Sequence, residues 1–397
     1  MITDLSPIVE VARTEAVHHN GGAVFPCAEC GSEAQVIADR CMCNDCGESW
    51  PMATSVPHRA ASELGASSRP LALDEVQRCL TQHPVLGGLN LQFAGRYASR
   101  TSEVLEYKRR VQGKSPTFML KYKKPPLSRA VSEEQATREF ENVQELWRLS
   151  GDRMRRTLPR PLALLPEIGA AVFERVPGLP LSNFLRIHGN RLTGRLRRSA
   201  IQRIGWEAGR WLRELHAKSD PHLVLYDAQP HLAKLAYWLC RALQGGLDRT
   251  VAIEVWSSAT IAANRNRSVP IPYSQVHGDF IPQNIIVQHD RIGVIDFGSY
   301  RGPEAVYEDL GLFLANCHLI ATNWVYSPVM ADDLQAAFLD GYGDGLNRDW
   351  LYLYVMKSMA MIFADQCVPR RTGRQHVRKL ERIQSRLLEE ARDVSAR

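Results

Sequence analysis

Long apolar runs are missing from this sequence. The longest apolar stretch near the C-terminal end, residues 351–363, is interrupted by Lys357, and a transmembrane helix needs about 20 apolar residues. Residues 1–16 are polar and partly acidic, without the apolar centre of a secretory leader. Internal repeats and low-complexity tracts are absent as well, which excludes repeat architectures. We therefore expect a cytoplasmic protein without a transmembrane segment.

The chain does have enough material for compact domains. It contains 397 residues, of which 45% are hydrophobic and 23% are charged. This length and composition predict two or three globular domains. Disulfides are not expected, because nothing marks the chain as secreted. Four scattered cysteines in apolar contexts are typical of buried thiols, namely Cys79, Cys240, Cys317 and Cys367.

The first fifty residues contain two cysteine pairs with metal-ligand spacing. Two residues separate Cys27 from Cys30 and Cys43 from Cys46, with a dozen residues between the pairs. This spacing is typical of four thiolates around one tetrahedral Zn2+. Zinc can supply on the order of 10 kcal/mol of folding free energy, which so small a unit cannot obtain from a core. We predict a zinc ribbon over residues 1–55, with Cys41 as an alternative ligand to Cys43.

Charge is divided unevenly along the chain. The net charge is +6, yet residues 1–55 contain eight acidic residues against Arg13 and Arg40. Nucleic-acid binding needs cations that neutralise phosphates, so the ribbon is expected to bind a protein partner or to be structural. The positive excess falls elsewhere, in residues 96–129, 186–213 and 370–397. It favours an anionic partner such as a phosphorylated sugar, an acidic glycan or a membrane surface, or else a solvated basic helix face.

One polar run gives the strongest functional signal. Residues 277–284 read His-Gly-Asp-Phe-Ile-Pro-Gln-Asn, and an Asp-Phe-Gly triplet begins twelve residues later at Asp296. Phosphoryl transfer needs a carboxylate that orients the attacking hydroxyl and hard oxygen ligands for Mg2+. Asp279 meets the first need, while Asn284 and Asp296 meet the second. Residues 285–295 read as two short apolar strands around a polar turn, and such a hairpin would bring Asn284 and Asp296 together.

This compound motif resembles the catalytic core of the aminoglycoside phosphotransferase and choline kinase family of small-molecule kinases. Gly278 stands where protein kinases usually have Arg, and no Ala-Pro-Glu motif follows Asp296, so protein kinases are the weaker relatives. The resemblance implies an ATP-dependent kinase with an alcohol group as acceptor and Asp279 as catalytic base. It further implies that His277 is structural and that Asp309 braces the catalytic loop, although Asp309 is equally compatible with a helix-capping carboxylate.

The resemblance also implies an α+β, bilobal, protein-kinase-like fold. A small β-rich N-terminal lobe is expected over residues 85–180, after a linker and helix over residues 56–84. A mainly helical C-terminal lobe with a basic terminal helix is expected over residues 181–397. In this arrangement ATP would bind between the two lobes.

Candidate nucleotide-binding residues lie in the first lobe. Lys121 stands where the family's strand lysine grips the phosphates, and Lys123 is the alternative on the same strand face. An amphipathic helix is expected to begin at a capping box over residues 132–135. On that helix Glu139 lies at the edge of the buried stripe, where it would pair with Lys121.

The expected phosphate-covering loop departs from the family's glycine-rich pattern. Residues 95–102 contain one glycine and several hydroxyl residues. The candidates for contacting the phosphates are Ser99, Thr101 and Ser102. Further along, an apolar strand that ends at a Pro-Gly pair resembles the family's hinge, where backbone groups near Glu174 and Val176 would bind the adenine.

The acceptor is the part that the motifs leave open. Members of such a family act on choline, amino sugars, glycans and other hydroxyl compounds, and a fold cannot select among them. The basic surface favours a sugar or glycan. An aminoglycoside is the alternative, since acidic residues within 332–349 could line a pocket for a polycation or could serve as caps and turns. A catalytically silent nucleotide-binding scaffold with a partner-docking ribbon is the third possibility.

Overall fold

The computed structural model describes residue 8 and residues 24–26, 33–37, 40–43, 49–51, 71–98, 102–109, 116–123, 129–191, 193–218, 221–289, 291–323, 325–366 and 374–395. None of the helices within these ranges is long and apolar enough to cross a membrane. Of the scattered cysteines, Cys240 and Cys317 are buried and Cys79 is partly exposed, while Cys367 lies outside the described residues.

Four short strands near the N-terminus form one antiparallel sheet. They are β1 (Val24–Pro26), β2 (Glu33–Ile37), β3 (Arg40–Cys43) and β4 (Ser49–Pro51), paired in that order. The strands follow one another as neighbours, and β2 pairs with β3 from Ala34 opposite Cys43 to Ile37 opposite Arg40. In the sequence, one Cys-x2-Cys pair falls between β1 and β2, and the other begins at the end of β3.

The β-rich lobe is a five-stranded antiparallel sheet. Its strands are β5 (Leu91–Ala98), β6 (Ser102–Arg109), β7 (Thr117–Lys123), β8 (Pro161–Leu165) and β9 (Ala170–Glu174), in the order β5-β6-β7-β9-β8. Side chains alternate along β7, so Phe118, Leu120 and Tyr122 are buried and Lys121 belongs to the opposite face. The buried face packs against helix α1 (Leu73–Gln82).

Helix α2 (Arg129–Leu149) packs across this sheet and is followed by the single turn α3 (Asp152–Arg155). The helix begins three residues before Ser132, so the predicted capping box there is wrong. Ser132 instead packs against the turn before β9, where its Cβ lies 3.0 Å from the position a Cβ on Gly169 would take. The helix thus starts earlier than its local capping signal indicates.

The second lobe is mainly helical. Its helices are α4 (Leu181–His188), α5 (Arg198–Ala217), α6 (Gln229–Gln244), α7 (Arg249–Arg265), α8 (Tyr307–Ala321), α9 (Pro328–Tyr342), α10 (Arg348–Gln366) and α11 (Arg374–Ser395). Helices α5 and α9 approach closely at two glycines. A Cβ on Gly209 would overlap Phe338 O, and one on Gly341 would overlap Trp206 O.

Two small sheets lie within this lobe. One contains β10 (Leu179–Pro180), β13 (Ile285–Val287) and β14 (Ile292–Val294), and the other contains β11 (His222–Leu225), β12 (Pro270–Val276) and β15 (Arg301–Ala305). The loop that follows β12 leads directly into β13. The polar run at residues 277–284 is therefore held between the two sheets. The whole fold is α+β.

Candidate active site

The hairpin β13–β14 brings the predicted metal ligands together. Its strands are paired in register, and the amide of Ile295 donates to Asn284 O at 3.0 Å. Asn284 therefore lies beside the residue that precedes Asp296. The side-chain amide of Asn284 donates to Asp279 Oδ2 at 2.8 Å and to Asp279 O at 3.0 Å. These bonds fix the Asp279 carboxylate and leave the side-chain oxygen of Asn284 as a hard oxygen donor.

An aromatic cluster packs against the catalytic loop and holds it in place. Phe280, which follows Asp279, is fully buried. Its ring stacks on Trp211 at 5.8 Å between centroids and packs on Phe313 at 5.7 Å. Burial of a phenylalanine stabilises by about 1.5–3 kcal/mol. The loop is thus fixed at the residue next to the proposed base.

Lys121 lies between two carboxylates. Its Nζ is 2.9 Å from Glu139 Oε1 and 2.6 Å from Asp296 Oδ1. The side chains of Lys121 and Glu139 are 13% and 8% exposed, whereas that of Asp296 is 38% exposed. The strand lysine, the helix glutamate and the aspartate of the Asp-Phe-Gly triplet therefore meet at one point, with Asp296 on its open side. Lys123 acts on this arrangement through its charge, which tends to lower the pKa values of Glu139 and Asp296.

The charges of this cluster change one another's pKa values. Burial acts to lower the pKa of Lys121, but Glu139 and Asp296 outweigh it and raise that pKa. Burial acts to raise the pKa of Asp296, yet the nearby Lys121 ammonium holds it below its usual value. For Glu139, burial outweighs the lysine and raises the pKa. Lys121 is thus kept cationic and Asp296 anionic at neutral pH.

Asp279 has the opposite shift from Asp296. Burial, followed by the negative charge of Asp296, raises the pKa of Asp279. The positive charge of Lys121 and the hydrogen bond from Asn284 act against these effects without cancelling them. Two carboxylates with pKa values pushed apart are typical of acid–base sites. Asp279 is the one better suited to accept a proton.

Asp309 holds the catalytic loop by its backbone. It is fully buried at the start of α8, and its carboxylate accepts from His277 N at 2.7 Å and Gly278 N at 2.8 Å. His216 Nε2 lies 3.1 Å from the same carboxylate. Of the two roles considered for Asp309, these contacts are those of a loop brace.

His277 contacts the Asp-Phe-Gly segment. Its Nε2 lies 3.2 Å from Ile295 O, and its ring packs on Phe297 with centroids 4.7 Å apart. Gly278, the next residue, has φ +76°, and a Cβ there would overlap Ser299 O. A left-handed backbone in so tight a space requires glycine. The arginine of protein kinases would therefore not be accommodated at this position.

A cleft of about 490 Å3 lies between the lobes. It reaches from Lys121 and Asp296 to the end of β9 and the segment after it, where Glu174 and Val176 are part of its wall. The amide of Glu174 donates to Arg160 O at 2.9 Å and is therefore engaged within the protein. The cleft walls are otherwise largely apolar and include Val104, Met119, Phe173 and Ile286.

The predicted phosphate-covering residues are only partly described. Ser102 is buried at the start of β6, opposite Lys123 of β7. Ser99 and Thr101 lie outside the described residues. The zinc candidates Cys27, Cys30 and Cys46 also lie outside them, and Cys43 is described only as the last residue of β3.

Sequence reasoning missed two side chains of this region. Tyr97 lines the cleft, and its hydroxyl donates to Glu106 Oε2 at 2.5 Å. Its place in the residue 95–102 stretch could have pointed to it. The guanidinium of Arg301 would overlap a Cβ on Gly278, the residue that precedes Asp279, and it donates to Ser299 O at 3.1 Å. No motif contains Arg301, so only the fold locates it.

The sequence model of the phosphotransferase enzyme family matches residues 92–354, well over half of the chain. This chain belongs to that family. The phosphotransferase is therefore an ATP-dependent enzyme that takes a hydroxyl group as acceptor. No curated protein matches it.

Several solved structures resemble this phosphotransferase at low identity. A choline/ethanolamine kinase family protein from Mesorhizobium loti is 16% identical, with 79% of this chain and 99% of that chain covered and a TM-score of 0.46. An amicoumacin kinase in complex with AMP-PNP and Ca2+ is 15% identical, with 84% and 96% covered and a TM-score of 0.47. A choline kinase from Cryptosporidium parvum is 9% identical, with 81% and 95% covered and a TM-score of 0.49.

Proposed function

We propose that this enzyme moves the γ-phosphoryl group of ATP to a hydroxyl of a small molecule, with Asp279 as the catalytic residue. The assignment rests on the arrangement of four side chains. Asn284 donates a hydrogen bond to Asp279 at 2.8 Å, and Lys121 donates one to Asp296 at 2.6 Å. A base, two metal-ligand candidates and a phosphate-binding cation thus share one site. Phosphoryl transfer depends mainly on such positioning and on charge stabilisation.

Asp279 would orient the acceptor hydroxyl and take its proton as the new O–P bond forms. Burial and the charge of Asp296 raise its pKa, which makes it a stronger base than an exposed aspartate. The bond from Asn284 fixes its carboxylate, so the attacking oxygen would be held in line with the phosphoryl group. General-base catalysis of this kind contributes roughly 10²- to 10⁴-fold to the rate.

Mg2+ is the metal that we propose for the pair Asn284 and Asp296. Both supply hard oxygen atoms, and Asp296 is kept anionic by Lys121. Among the described residues, no group of three or more His, Cys, Asp or Glu side chains could hold a metal alone. That agrees with Mg2+, which is commonly bound by one or two protein ligands together with phosphates and water. When bound, it would neutralise charge on the phosphate oxygens.

ATP would occupy the cleft between the lobes. The adenine would meet the apolar walls and the backbone of Glu174 and Val176. Since the Glu174 amide is engaged with Arg160, we assign the Glu174 carbonyl and the Val176 amide as the pair for the base. Lys121, held by Glu139, would bind the phosphates, and Ser99, Thr101 and Ser102 would cover them.

For the acceptor we propose a sugar or glycan, with an aminoglycoside as the alternative. Two acids considered for a polycation pocket already form hydrogen bonds within the protein. Asp333 accepts from Arg198 Nε and Nη2 at 2.7 Å each, and Asp349 accepts from Asn266 at 2.7 Å. Arg301, 47% exposed and 3.6 Å from Glu304, adds a guanidinium beside Gly278, the residue that precedes Asp279. A polycation would meet like charge there.

The test is turnover of Mg-ATP by wild type and Asp279→Asn against sugars, glycans, aminoglycosides and amino alcohols, with products read by mass. We expect a phosphorylated sugar or glycan, and a loss of about 10²-fold or more in the variant while AMP-PNP binding is kept. Asp74→Asn, an exposed change of the same kind outside the site, is the matched control. Equal turnover by Asp279→Asn would contradict the mechanism. AMP-PNP binding without transfer to any acceptor would favour the scaffold alternative.

We propose that the N-terminal unit is a zinc ribbon that binds a protein partner in the cytoplasm. Support comes from the spacing of Cys27, Cys30, Cys43 and Cys46. It also comes from the sheet β1–β4, because one cysteine pair lies between β1 and β2 and the other begins at the end of β3. Metal analysis of the purified chain should find one zinc, lost in Cys27→Ser but kept in Cys79→Ser. Absence of zinc together with four titratable thiols would exclude the site. Its acidic charge disfavours nucleic acid.

A further inference from the structure

A second cavity lies behind the nucleotide cleft. Its volume is about 700 Å3, within the range of small-molecule sites. It is enclosed by helix α4, helix α5 and the hairpin β13–β14. Of its lining residues, only Gly178 and Leu179 also line the nucleotide cleft. The two spaces are therefore distinct and share a wall at the hinge.

The lining of this cavity contains positively charged side chains and no acidic side chain that would balance them. It includes Arg197, Arg203 and Arg291 together with two histidines, and no aspartate or glutamate is among the described residues that form it. Within the described part of the chain, none of these arginines forms an ion pair with a carboxylate. All three are exposed. Three guanidinium groups facing one space attract an anion.

Two nearby arginines outside the cavity are neutralised. Arg198 forms a two-nitrogen pair with Asp333 at 2.7 Å, and Arg210 is paired with Glu207. Arg197 and Arg203 of the cavity lie close to these positions along the chain. Of these four arginines, only the two that line the cavity are without a carboxylate partner among the described residues.

Hydrogen bonds orient the cavity's donors. Arg203 Nη2 donates to His289 O at 3.1 Å, and Arg291 Nε donates to Gln288 Oε1 at 3.0 Å. Each guanidinium keeps further N–H groups for a ligand. Gln288 Nε2 is buried and has no hydrogen-bond partner among the described residues. An unmade bond at a buried donor costs about 1–3 kcal/mol, which an acceptor oxygen from a ligand would relieve.

The other side of the cavity is apolar. Phe184, Ile204 and Val287 line it, and Leu179 is 47% exposed there. We propose that this cavity is a second ligand site, which binds an organic phosphate with its phosphate at the arginines and its apolar body against Phe184 and Ile204. A phosphate dianion matches three unpaired cations better than a monoanion does. This inference is independent of the acceptor proposed above.

The probe is 2-naphthyl phosphate, titrated by calorimetry into the full chain saturated with Mg-AMP-PNP so that the nucleotide cleft is occupied. We expect one molecule bound per chain. Arg203→Gln and Arg291→Gln should each weaken binding by about tenfold, because each removes a charged donor. Arg148→Gln, the same change at an exposed helix position outside the cavity, should leave the affinity within about twofold. Inorganic phosphate and 2-naphthol should both bind more weakly than the probe.

Retained AMP-PNP affinity in each variant shows that it is folded, and the two variants lie on different elements, α5 and the turn of the hairpin. The proposal is overturned if the probe fails to bind at millimolar concentration or if AMP-PNP abolishes its binding. Equal affinities in wild type and both cavity variants would overturn it as well. Stronger binding of 2-naphthoate than of the phosphate would reject the dianion preference on which it rests.

Discussion

Lys121 connects three parts of the chain that are far apart in sequence. The residue is on β7, Glu139 is on α2 and Asp296 follows β14, and the contacts of 2.9 Å and 2.6 Å join all three. The alternation of β7 places the lysine away from the buried face, and burial of Glu139 strengthens their attraction. Side-chain chemistry at single positions therefore sets the geometry in which nucleotide phosphates would be held.

Replacement of Glu139 by Gln should impair nucleotide use. The change removes one charged partner of Lys121, and a hydrogen bond to a charged group contributes about 1.5–3 kcal/mol. We expect kcat/KM for ATP to fall roughly 10- to 100-fold, with the lysine drawn towards Asp296. Steady-state kinetics measure this. Glu141→Gln, on the exposed side of the same helix, is the control, and an equal loss in both variants would refute the pairing role.

Asp309→Asn should loosen the catalytic loop. The carboxylate accepts two backbone amides with its two oxygens, whereas an asparagine offers one oxygen and turns an NH2 group towards the second donor. We expect kcat to fall at least about tenfold while the chain remains folded by circular dichroism. Asp74→Asn serves as the exposed control. Unchanged kcat would show that the loop does not depend on this brace.

At the scale of elements, helix α5 links the aromatic support of the loop to the packing of α9. Trp211 of α5 stacks on Phe280, and two residues earlier Gly209 meets the backbone of α9 at Phe338. The glycine permits an approach that a Cβ would prevent. The position of α5 against α9 thus determines where the catalytic loop is supported.

Gly209→Ala should force these helices apart. Although alanine favours helix formation, its Cβ would overlap Phe338 O and lie 2.7 Å from Tyr342 N. We expect a loss of about 1–3 kcal/mol of unfolding free energy, measured by urea denaturation. At Gly88 a Cβ would meet nothing within 4 Å, so Gly88→Ala should be nearly neutral. Equal stability of the two variants would contradict the close contact.

At the scale of the whole molecule, the helical lobe buries ionisable groups far from the site. Burial, with a smaller effect of Lys357, lowers the pKa of His231 to about 3. Burial and Arg386 lower the pKa of His318 to about 3 as well, although Glu390 lies 3.8 Å from it. Both histidines are therefore neutral in the folded protein at physiological pH.

These histidines should make the fold sensitive to acid. Below the ordinary histidine pKa of 6.5, these histidines bind protons in the unfolded chain but not in the folded chain. The free energy of unfolding therefore falls as pH drops from 6.5 towards 3. Each histidine should contribute about 1.4 kcal/mol per pH unit. Urea unfolding between pH 7 and pH 5 should show a smaller pH slope for His231→Gln. Exposed His222→Gln should retain the wild-type slope, and identical slopes in all three proteins would refute the account.

Short-range patterns in the sequence were sufficient to predict the residues at the centre of the site. The hairpin from residue 285, the run from His277 to Asn284 and the Asp-Phe-Gly triplet are all short-range patterns, since backbone pairing and turn geometry act over a few residues. The strand with Lys121 and the helix with Glu139 were also readable from periodicity. Their ion pair could be anticipated because the family resemblance supplied the long-range relation between them.

Contacts across long sequence separations were decided by the tertiary structure alone. Helix α2 begins at Arg129, before the local capping signal at Ser132, and Ser132 lies close to Gly169 on a different part of the chain. Arg301 beside Gly278 and the cationic cavity between α5 and the hairpin have no sequence motif, because their members become neighbours only when the lobe folds. The sequence by itself thus determined the chemistry of phosphoryl transfer, while the fold decided which charges are paired, which are buried and which remain available to a ligand.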